Sequence, residues 1–462
     1  MTIDLAITGG KLVLPNGIVD ACLAIDSGRI HSIVKEPNLP SVDETISLNG
    51  ELVFPGVIDP HVHFKSPWLE LEEIDTGTAS AAGGGVTMVV DYLFSGQSRT
   101  LTQAFHERRK EADSKLYIDY ALHAIISEGT QRELSQLSDL MDLGIISFKV
   151  FTTYGDFVTT SSGYFLEVFK EVARAGGMVS AHCEDDSIIS YFTAKAKRAG
   201  TKDSLSYVDS RPPIAEAISL QTMLELTKET GARFRVVHLN TQRGVEIVQR
   251  AKSRKLPVTA ETCPHYLLLT RKDMERNGHL LKMSPLLRQP SDNAALWRGL
   301  SSGAIDMIAT DHSPMHMLED LERMSDDIWS IDPGIPGMET MVPLLFDGGV
   351  NRGLITVERL AEITSTGTAK ALGLYPRKGV IKVGSDADLT VIDQKKGAVI
   401  KAEELHSKAD YTPFEGRKVT GVPVKTIVRG KLIMDNGYPG DIVGKLGHGE
   451  YVLPMTAKPK QE

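Results

Sequence analysis

Two histidines, two positions apart, end a short apolar run and offer the clearest chemistry in the chain. His61 and His63 close the segment VIDPHVHF. Side chains alternate between the two faces of a strand, so residues two apart point the same way. A strand over this segment therefore presents two imidazoles to one point, and imidazoles are common ligands of a divalent ion such as Zn²⁺.

Five later apolar runs also stop at a polar group. Their sequences are ISFKVF, MVSAHCE, FRVVHLN, VTAETCPHY and IDMIATDH, with the polar groups Lys149, His182, His238, His265 and Asp311. Segments of helical length lie between the runs. A ring of parallel strands separated by helices takes its catalytic groups from the carboxyl ends of several strands. The polar ends of these runs are therefore expected to converge.

The predicted secondary structure that must position these groups differs between the middle of the chain and its two ends. Eight strand-like runs separated by helical stretches lie within residues 55–375, the number that a (β/α)8 TIM barrel needs. Residues 1–54 and 376–453 instead contain short β-rich runs joined by glycine-containing turns. We expect an α/β protein, a TIM barrel with a small β-sandwich domain formed by both chain ends. Residues 454–462 are polar and are expected to form a flexible tail.

The bulk composition narrows the class of protein. The 462 residues include 51 basic and 60 acidic side chains, which gives a formal net charge of −9. This balance argues against nucleic acid or an anionic membrane as a partner, because both select basic patches. No apolar run approaches the roughly 20 residues of a membrane span, and no secretory signal is visible. Three scattered cysteines do not form a disulfide framework, so the cytoplasm is the expected location.

The polar strand ends offer more donors than one metal ion needs. The nitrogen and oxygen donors among them are His61, His63, His182, His238 and Asp311. Such donors suit Zn²⁺ or another borderline divalent ion. Five donors exceed the three protein ligands typical of one catalytic zinc, so the set predicts two ions that need a bridging ligand.

Lys149 is the candidate bridge. A lysine inside the apolar run ISFKVF is either a buried cation that needs a partner or a neutral amine, because burial readily lowers the pKa of lysine. A neutral amine can react with CO₂ to form a carbamate, and the two carbamate oxygens can span a metal pair. The residues permit this reaction without requiring it.

A set of longer motifs occurs in an order typical of one enzyme family. The motifs are PGVIDPHVHF, SFKVF, SAHCED, VVHLNT, AETCPHYLLLT, KMSPLLR, ATDHSP, GIPGMETMVPLLF, GLYPRKGVIKVGSDADL and YTPFEG. Together they resemble the amidohydrolase superfamily and, within it, the cyclic amidase group of hydantoinase and dihydropyrimidinase. Allantoinase and dihydroorotase are relatives of that group. The likeness runs from about residue 2 to residue 453.

The resemblance implies a binuclear metal-dependent hydrolase that breaks a C–N bond in a cyclic amide. Its substrate would be a hydantoin, a dihydropyrimidine or a related cyclic imide or ureide. His61, His63 and Asp311 would hold the more buried of two divalent ions, with Zn²⁺ expected. His182 and His238 would hold the more exposed ion. Enzymes of this group are commonly homotetramers, so a homo-oligomer is also expected.

The implied mechanism uses a hydroxide shared by the two ions. Lys149, N6-carboxylated by CO₂, would bridge the ions, which lower the pKa of water and polarise the amide carbonyl. The hydroxide attacks the carbonyl carbon, and Asp311 takes its proton and passes it to the leaving nitrogen. Tyr154 resembles the hydantoinase tyrosine that stabilises the oxyanion; a half-buried aromatic on a loop is the alternative interpretation.

Substrate contacts follow from the same resemblance. Ser284 in KMSPLLR matches the position whose backbone groups bind the cyclic amide in hydantoinases, where dihydroorotases usually have Asn. Pro333 stands in a pair that is commonly Asn-Gly in hydantoinases; it keeps a carbonyl acceptor but has no N–H donor. Lys65 stands where allantoinases and dihydroorotases tend to have arginine, and it either meets an anionic substrate group or is solvated. His265 is expected to support the ligands or to pack.

Two other functions are open at this point. The first is an allantoinase or another ureido-ring hydrolase, which the segment HVHFK suggests. The second is a catalytically silent scaffold, as in the neuronal relatives that keep the barrel and lose ligands. The intact ligand set argues against the scaffold, since function depends on the site and not on the fold.

Overall fold

The structure is a computed structural model, and it describes six ranges of the chain. They are residues 3–66, 71–96, 99–126, 134, 137–153 and 161–455. Within these ranges an eight-stranded sheet lies beside a four-stranded and a seven-stranded sheet. No helix in the described ranges combines the length and the apolar character needed to cross a lipid bilayer.

The N-terminal part of the chain is built from short strands. They are β1 (Ile3–Thr8), β2 (Lys11–Leu14), β3 (Gly17–Asp20), β4 (Cys22–Asp26), β5 (Arg29–Val34), β6 (Val42–Ser47) and β7 (Leu52–Pro55). The four-stranded sheet has the order β5-β4-β1-β6. Its apolar side chains Leu5, Ile7 and Leu23 pack in a small core with Val53 and Leu389 of the seven-stranded sheet.

Eight parallel strands form the barrel, each paired with its neighbours in chain order. They are β8 (Val57–Val62), β9 (Val86–Leu93), β10 (Asp119–Ile125), β11 (Ile145–Phe151), β12 (Met178–His182), β13 (Arg233–Val236), β14 (Val258–Thr262) and β15 (Met307–Ile308). A parallel bridge between Val62 and His312 closes the ring. The backbone N–H of His63 also donates to the His312 carbonyl at 2.8 Å. The predicted TIM barrel is confirmed.

The chain ends meet in the seven-stranded sheet. Its last strands are β16 (Leu389–Val399), β17 (Lys418–Val428), β18 (Lys431–Asp435) and β19 (Asp441–Ile442). The strand order is β19-β18-β17-β16-β7-β2-β3. Residues of β16 pair antiparallel with β7, from Leu389 opposite Pro55 to Ile392 opposite Leu52. The small β domain built from both chain ends is therefore confirmed, while the exact domain boundaries stay predictions.

Helices cover the barrel and connect its strands. They are α1 (Ile74–Gly83), α2 (Leu101–Ala112), α3 (Leu137–Asp142), α4 (Ser162–Ala175), α5 (Asp186–Arg198), α6 (Ser204–Ser210), α7 (Pro213–Thr230), α8 (Gln242–Ser253), α9 (Pro264–Leu268), α10 (Arg271–Asn277), α11 (Pro290–Ser302), α12 (Leu318–Arg323), α13 (Met341–Leu345), α14 (Val357–Ala361) and α15 (Gly367–Ala371).

Helix α4 illustrates how the sequence determines where a helix begins, where it ends and which face it buries. The Ser161 side chain accepts a hydrogen bond from the Tyr164 N–H and caps the helix start. Gly176, with φ of 77°, ends it in the left-handed conformation that glycine adopts without strain. Phe165 and Phe169, four residues apart, lie on its buried face. The Phe169 ring packs on Phe234 of β13, with 5.8 Å between centroids, and so fixes the strand.

The alternation of each strand separates an apolar outer layer from a polar interior. On β11, Phe148 and Val150 belong to the main hydrophobic core. Ser147 and Lys149 lie on the opposite face, and the Ser147 hydroxyl contacts Nδ1 of His123 at 2.8 Å inside the barrel. Strand periodicity alone therefore directs Lys149 towards the barrel interior.

Candidate metal centre

His61, His63 and Asp311 meet at the carboxyl ends of β8 and β15. Nε2 of His61 lies 3.1 Å from Oδ1 of Asp311, and Nε2 of His63 lies 3.3 Å from the same oxygen. One donor atom from each residue lies within 4.8 Å of the other two. The two strand-end positions predicted to face one point do so.

His182 and His238 form a second group beside the first. Nδ1 of His182 lies 3.1 Å from Nε2 of His238. The ring of His238 lies 5.6 Å from that of His61, measured between centroids, so the two groups are adjacent. His238 and Asp311 have φ of 40° and 52°, values that residues other than glycine rarely adopt. Backbone strain of this kind collects at functional sites.

Lys149 lies in the same cavity and is buried. Its amine stands 5.1 Å above the ring centroid of Tyr92 and 5.1 Å from that of Phe151. Burial lowers the pKa of this amine to about 8, although Asp311 and Glu261 act in the opposite direction. Near neutral pH, a fraction of the molecules therefore carries Lys149 as a neutral amine.

Carboxylates that the sequence interpretation missed stand behind two of the imidazoles. Oε1 of Glu261, on β14, accepts from Nδ1 of His61 at 2.6 Å. Oε2 of Glu184 accepts from Nε2 of His182 at 2.8 Å. Each carboxylate fixes the proton on the outer nitrogen, so the lone pair of the other nitrogen faces the cavity. A signal for Glu184 exists in the sequence, because it lies two residues after His182, just past the end of β12.

Arginines keep these carboxylates ionised. Burial alone would raise the pKa of Glu184, but Arg211, which donates to it, lowers that pKa below its ordinary value. Burial likewise opposes ionisation of Glu261, and Arg235 and then His61 outweigh it, so its pKa is also lowered. Both carboxylates therefore act as fixed acceptors.

Burial also keeps the candidate ligands in the form that binds metal. It lowers the pKa of His63 to about 4 and that of His238 well below its ordinary value. Metal ligation requires neutral imidazoles and an ionised carboxylate. The imidazoles around Asp311 overcome the effect of burial and hold the pKa of its carboxyl well below its usual range. Neutral imidazole nitrogens with a carboxylate oxygen fit a divalent ion such as Zn²⁺.

One cavity of about 240 Å³ contains both donor groups. Its wall also includes the apolar side chains of Phe64, Phe94, Ile125, Phe151, Met283, Met315 and Ile335. Ser284 and Pro333, the predicted substrate contacts, line the same cavity. The Ser284 hydroxyl contacts the Tyr207 hydroxyl, which restrains the Ser284 side chain.

The other predicted residues have different positions. Tyr154 lies outside the described residues, so its role stays a prediction. Lys65 is 46% exposed and its amine donates to Oε1 of Glu73 at 2.7 Å. His265 is buried at the cavity wall, where burial lowers its pKa to about 4. Its Nε2 has no hydrogen-bond partner within the described ranges.

A parallel barrel with these donors at its strand ends defines a candidate metal-dependent barrel enzyme. The model of the Amidohydrolase family matches residues 52–433, and the chain belongs to this family.

Similar proteins extend over nearly the whole chain. The L-hydantoinase of Paenarthrobacter aurescens is 34% identical over 451 residues, 97% of this chain and 98% of that protein. The D-hydantoinase of Geobacillus stearothermophilus is 35% identical over 453 residues, 96% and 95% of the two chains. The crystal structure of dihydropyrimidinase from Brevibacillus agri NCHU1002 is similar with a TM-score of 0.93 and 30% identity, covering 98% of this chain and 99% of the other.

Proposed function

We propose that this protein is a binuclear metal-dependent hydrolase that opens a cyclic amide, either a hydantoin, a dihydropyrimidine or a related imide or ureide. The observation that carries the proposal is the convergence of two donor groups and a buried lysine in one cavity. Membership of the amidohydrolase family and the similarity to hydantoinases support the substrate class.

Two divalent ions, with Zn²⁺ expected, would be held by two groups of side chains. These are His61, His63 and Asp311 on one side and His182 and His238 on the other. Lys149, N6-carboxylated by CO₂, would contribute one carbamate oxygen to each group. Its low pKa supports this reaction, because only the neutral amine forms the N–C bond to CO₂. Bound ions of this type lower the pKa of water towards neutrality and polarise an amide carbonyl.

Asp311 is the proposed proton carrier. Its carboxylate is ionised in the resting site, since the surrounding imidazoles lower its pKa. It accepts a proton from the attacking water and donates that proton to the ring nitrogen as the C–N bond breaks. The leaving nitrogen departs as a neutral amine or amide, and Asp311 returns to the ionised form.

The remaining residues orient the ring. The backbone groups of Ser284 and the carbonyl of Pro333 would hydrogen-bond the cyclic amide, and Tyr154 would stabilise the oxyanion. The apolar side chains of the wall favour a ring with an apolar substituent. Lys65, the residue that suggested an allantoinase, is paired with Glu73, which weakens that alternative. We also expect a homotetramer, which light scattering after gel filtration measures.

Ring opening tests the proposal. Purified protein, loaded with Zn²⁺ and bicarbonate, is assayed on hydantoin, 5-substituted hydantoins, dihydrouracil and allantoin, with metal content measured in parallel. The expected result is about two ions per chain and the fastest opening of a hydantoin or dihydropyrimidine. Faster opening of allantoin supports the alternative ureido-ring activity. A protein that binds no metal and opens none of these rings contradicts the proposal and favours a scaffold.

A further inference from the structure

Arg235 is fully buried inside the barrel, on β13. A guanidinium stays protonated in proteins, so burial without a counter-ion is strongly unfavourable. The interior layers of a TIM barrel are usually filled by Val, Ile and Leu. An arginine in this layer therefore requires a partner that repays its desolvation.

The contacts of Arg235 lead towards the metal centre. Its Nη2 donates to the Tyr92 hydroxyl at 2.7 Å and lies 3.1 Å from Nε2 of His123. Its Nε lies 3.5 Å from Oε2 of Glu261. Within the described part of the chain, Glu261 is therefore the carboxylate that forms an ion pair with Arg235.

Glu261 connects the guanidinium to a candidate ligand. One carboxylate oxygen, Oε2, faces Arg235, and the other, Oε1, accepts from Nδ1 of His61. That hydrogen bond leaves Nε2 of His61 directed at Asp311, 3.1 Å away. Neither Oε2 of Glu261 nor Nε of Arg235 has a hydrogen-bond partner in the described ranges, so the ion pair between these two atoms is the interaction that acts on this end of the carboxylate.

We propose that Arg235 is a positioning residue of the metal centre: it fixes the Glu261 carboxylate, which holds the His61 imidazole in its ligating orientation. The inference rests on the proposed metal-dependent function and adds to it a residue that touches neither metal nor substrate. Without the guanidinium, Glu261 loses its counter-ion inside the barrel and turns away from the geometry that orients His61. The ligand then has to be ordered by the ion itself, which weakens binding.

A purely structural role for Arg235 makes a different prediction. In that case Arg235→Met lowers the unfolding midpoint but leaves the Zn²⁺ affinity of the folded protein unchanged. If Arg235 acts through Glu261, Arg235→Met weakens Zn²⁺ binding in the otherwise wild-type protein and adds no further loss to Glu261→Gln, in which the acceptor for His61 is already uncharged. Comparing the double variant with Glu261→Gln alone therefore separates the two roles.

The experiment measures Zn²⁺ affinity and thermal stability in the same samples. Metal-depleted full-length protein is titrated with Zn²⁺ against a chromophoric chelator, and thermal unfolding midpoints are recorded. The variants are Arg235→Met, Arg235→Lys, Glu261→Gln, and Arg235→Met combined with Glu261→Gln. Lys378→Met is the matched control, because Lys378 is also a buried cation but lies far from the centre, among Asp119, Asp386 and Asp388.

We expect Arg235→Met to weaken Zn²⁺ binding about tenfold, in the range found for groups that orient metal ligands. Arg235→Lys recovers part of the affinity because it keeps the charge. The double variant regains the unfolding midpoint, and its Zn²⁺ affinity matches that of Glu261→Gln alone. Lys378→Met lowers the midpoint and leaves the affinity of the folded protein unchanged.

Two results overturn the inference: wild-type Zn²⁺ affinity in folded Arg235→Met, or a Zn²⁺ affinity of the double variant well below that of Glu261→Gln alone. If Arg235→Met does not fold, the Arg235→Lys and double variants decide, since both avoid an isolated buried carboxylate. A wild-type protein that binds no Zn²⁺ overturns the proposed function and this inference with it. The wild type alone reveals that outcome, so the two failures are distinguishable.

Discussion

Two clusters of potential metal ligands lie at opposite ends of the barrel. The cluster at the mouth is His61, His63 and Asp311, and the cluster at the base is Asp119, Asp386 and Asp388. At the base, the Lys378 amine lies 2.5 Å from Asp119, 2.6 Å from Asp388 and 3.0 Å from Asp386. At the mouth, Glu261 anchors the outer nitrogen of His61 and leaves its inner nitrogen directed at Asp311.

The difference shows that closeness of ligand residues does not define a metal site. At the base a lysine already occupies the position that an ion would take, and Arg429 adds a second positive charge beside Asp119. This cluster joins the start of β10 to the segment before β16, so its role is to hold the barrel and the chain ends together. At the mouth, the ion pairs that Asp311 makes within the described residues are with the imidazoles of His61 and His63.

Removing the carboxylate at the mouth gives the largest expected effect. We expect Asp311→Asn to lower kcat/KM by at least about 10³-fold, because both proton transfer and a metal ligand are lost. Steady-state kinetics on the fastest cyclic amide, normalised to folded protein, measure the effect. Asp386→Asn, the equivalent change at the base, leaves kcat/KM unchanged and lowers stability. A variant of Asp311 that keeps a tenth of the activity contradicts the assignment.

Removing the cation at the base affects stability instead. We expect Lys378→Met to lower the free energy of unfolding by about 3–5 kcal/mol, since it leaves three buried carboxylates short of a counter-ion. Urea denaturation measures this loss, and metal analysis of the folded fraction is expected to match the wild type. Loss of metal from folded Lys378→Met protein would show that the two clusters are not independent.

The third prediction concerns a carboxylate that hydrogen-bonds a candidate metal ligand at the mouth of the barrel. We expect Glu184→Gln to weaken Zn²⁺ binding by about 10–100-fold, because His182 loses its ionised acceptor. Glu339→Gln is the matched control, since Glu339 is also buried and contacts an imidazole, Nδ1 of His406, at 2.7 Å. The control is expected to bind Zn²⁺ with wild-type affinity. If both variants lost the same Zn²⁺ affinity, the loss would reflect general destabilisation of the protein and not the contact between Glu184 and His182.

The smallest expected effect concerns Lys149 and pH. Its pKa of about 8 lies below the ordinary value for lysine, so the neutral amine predominates above pH 8. Between pH 7 and pH 9 the neutral share rises about tenfold. At a fixed concentration of dissolved CO₂, we expect the rate of Zn²⁺ uptake by metal-depleted protein to rise by a similar factor. A ¹³C signal from labelled CO₂ reports the carbamate. A rate independent of both pH and CO₂ contradicts the bridge.

Strand periodicity predicted most of the architecture and the positions of the candidate ligands. The H-V-H spacing and the polar ends of later strands place seven side chains in one cavity, because parallel strands end on one face. The supporting groups were missed because their partners are distant in sequence. Glu261 lies in an apparently ordinary strand, VTAET, and its importance depends on Arg235 and His61. Local patterns carry no information on such pairs.

The base cluster was missed for a similar reason. Asp386 and Asp388 alternate in the segment SDADL, which marks one face of a strand, but neither spacing nor composition reveals that Asp119 and Lys378 share that face. Lys65 illustrates the opposite case, where the sequence left two interpretations open. Its contact with Glu73 is visible only once the loop geometry is known, and its role stays a prediction.

The pairing of β7 with β16 has a consequence for biosynthesis. A ribosome releases Leu52–Pro55 long before it makes Leu389–Ile392, the strand partner of that segment. At about 5–20 residues per second, the nascent chain carries an unpaired β edge for tens of seconds. Early strands of this kind attract other exposed edges, so translation in the presence of chaperones is expected to give more native protein than refolding at high concentration.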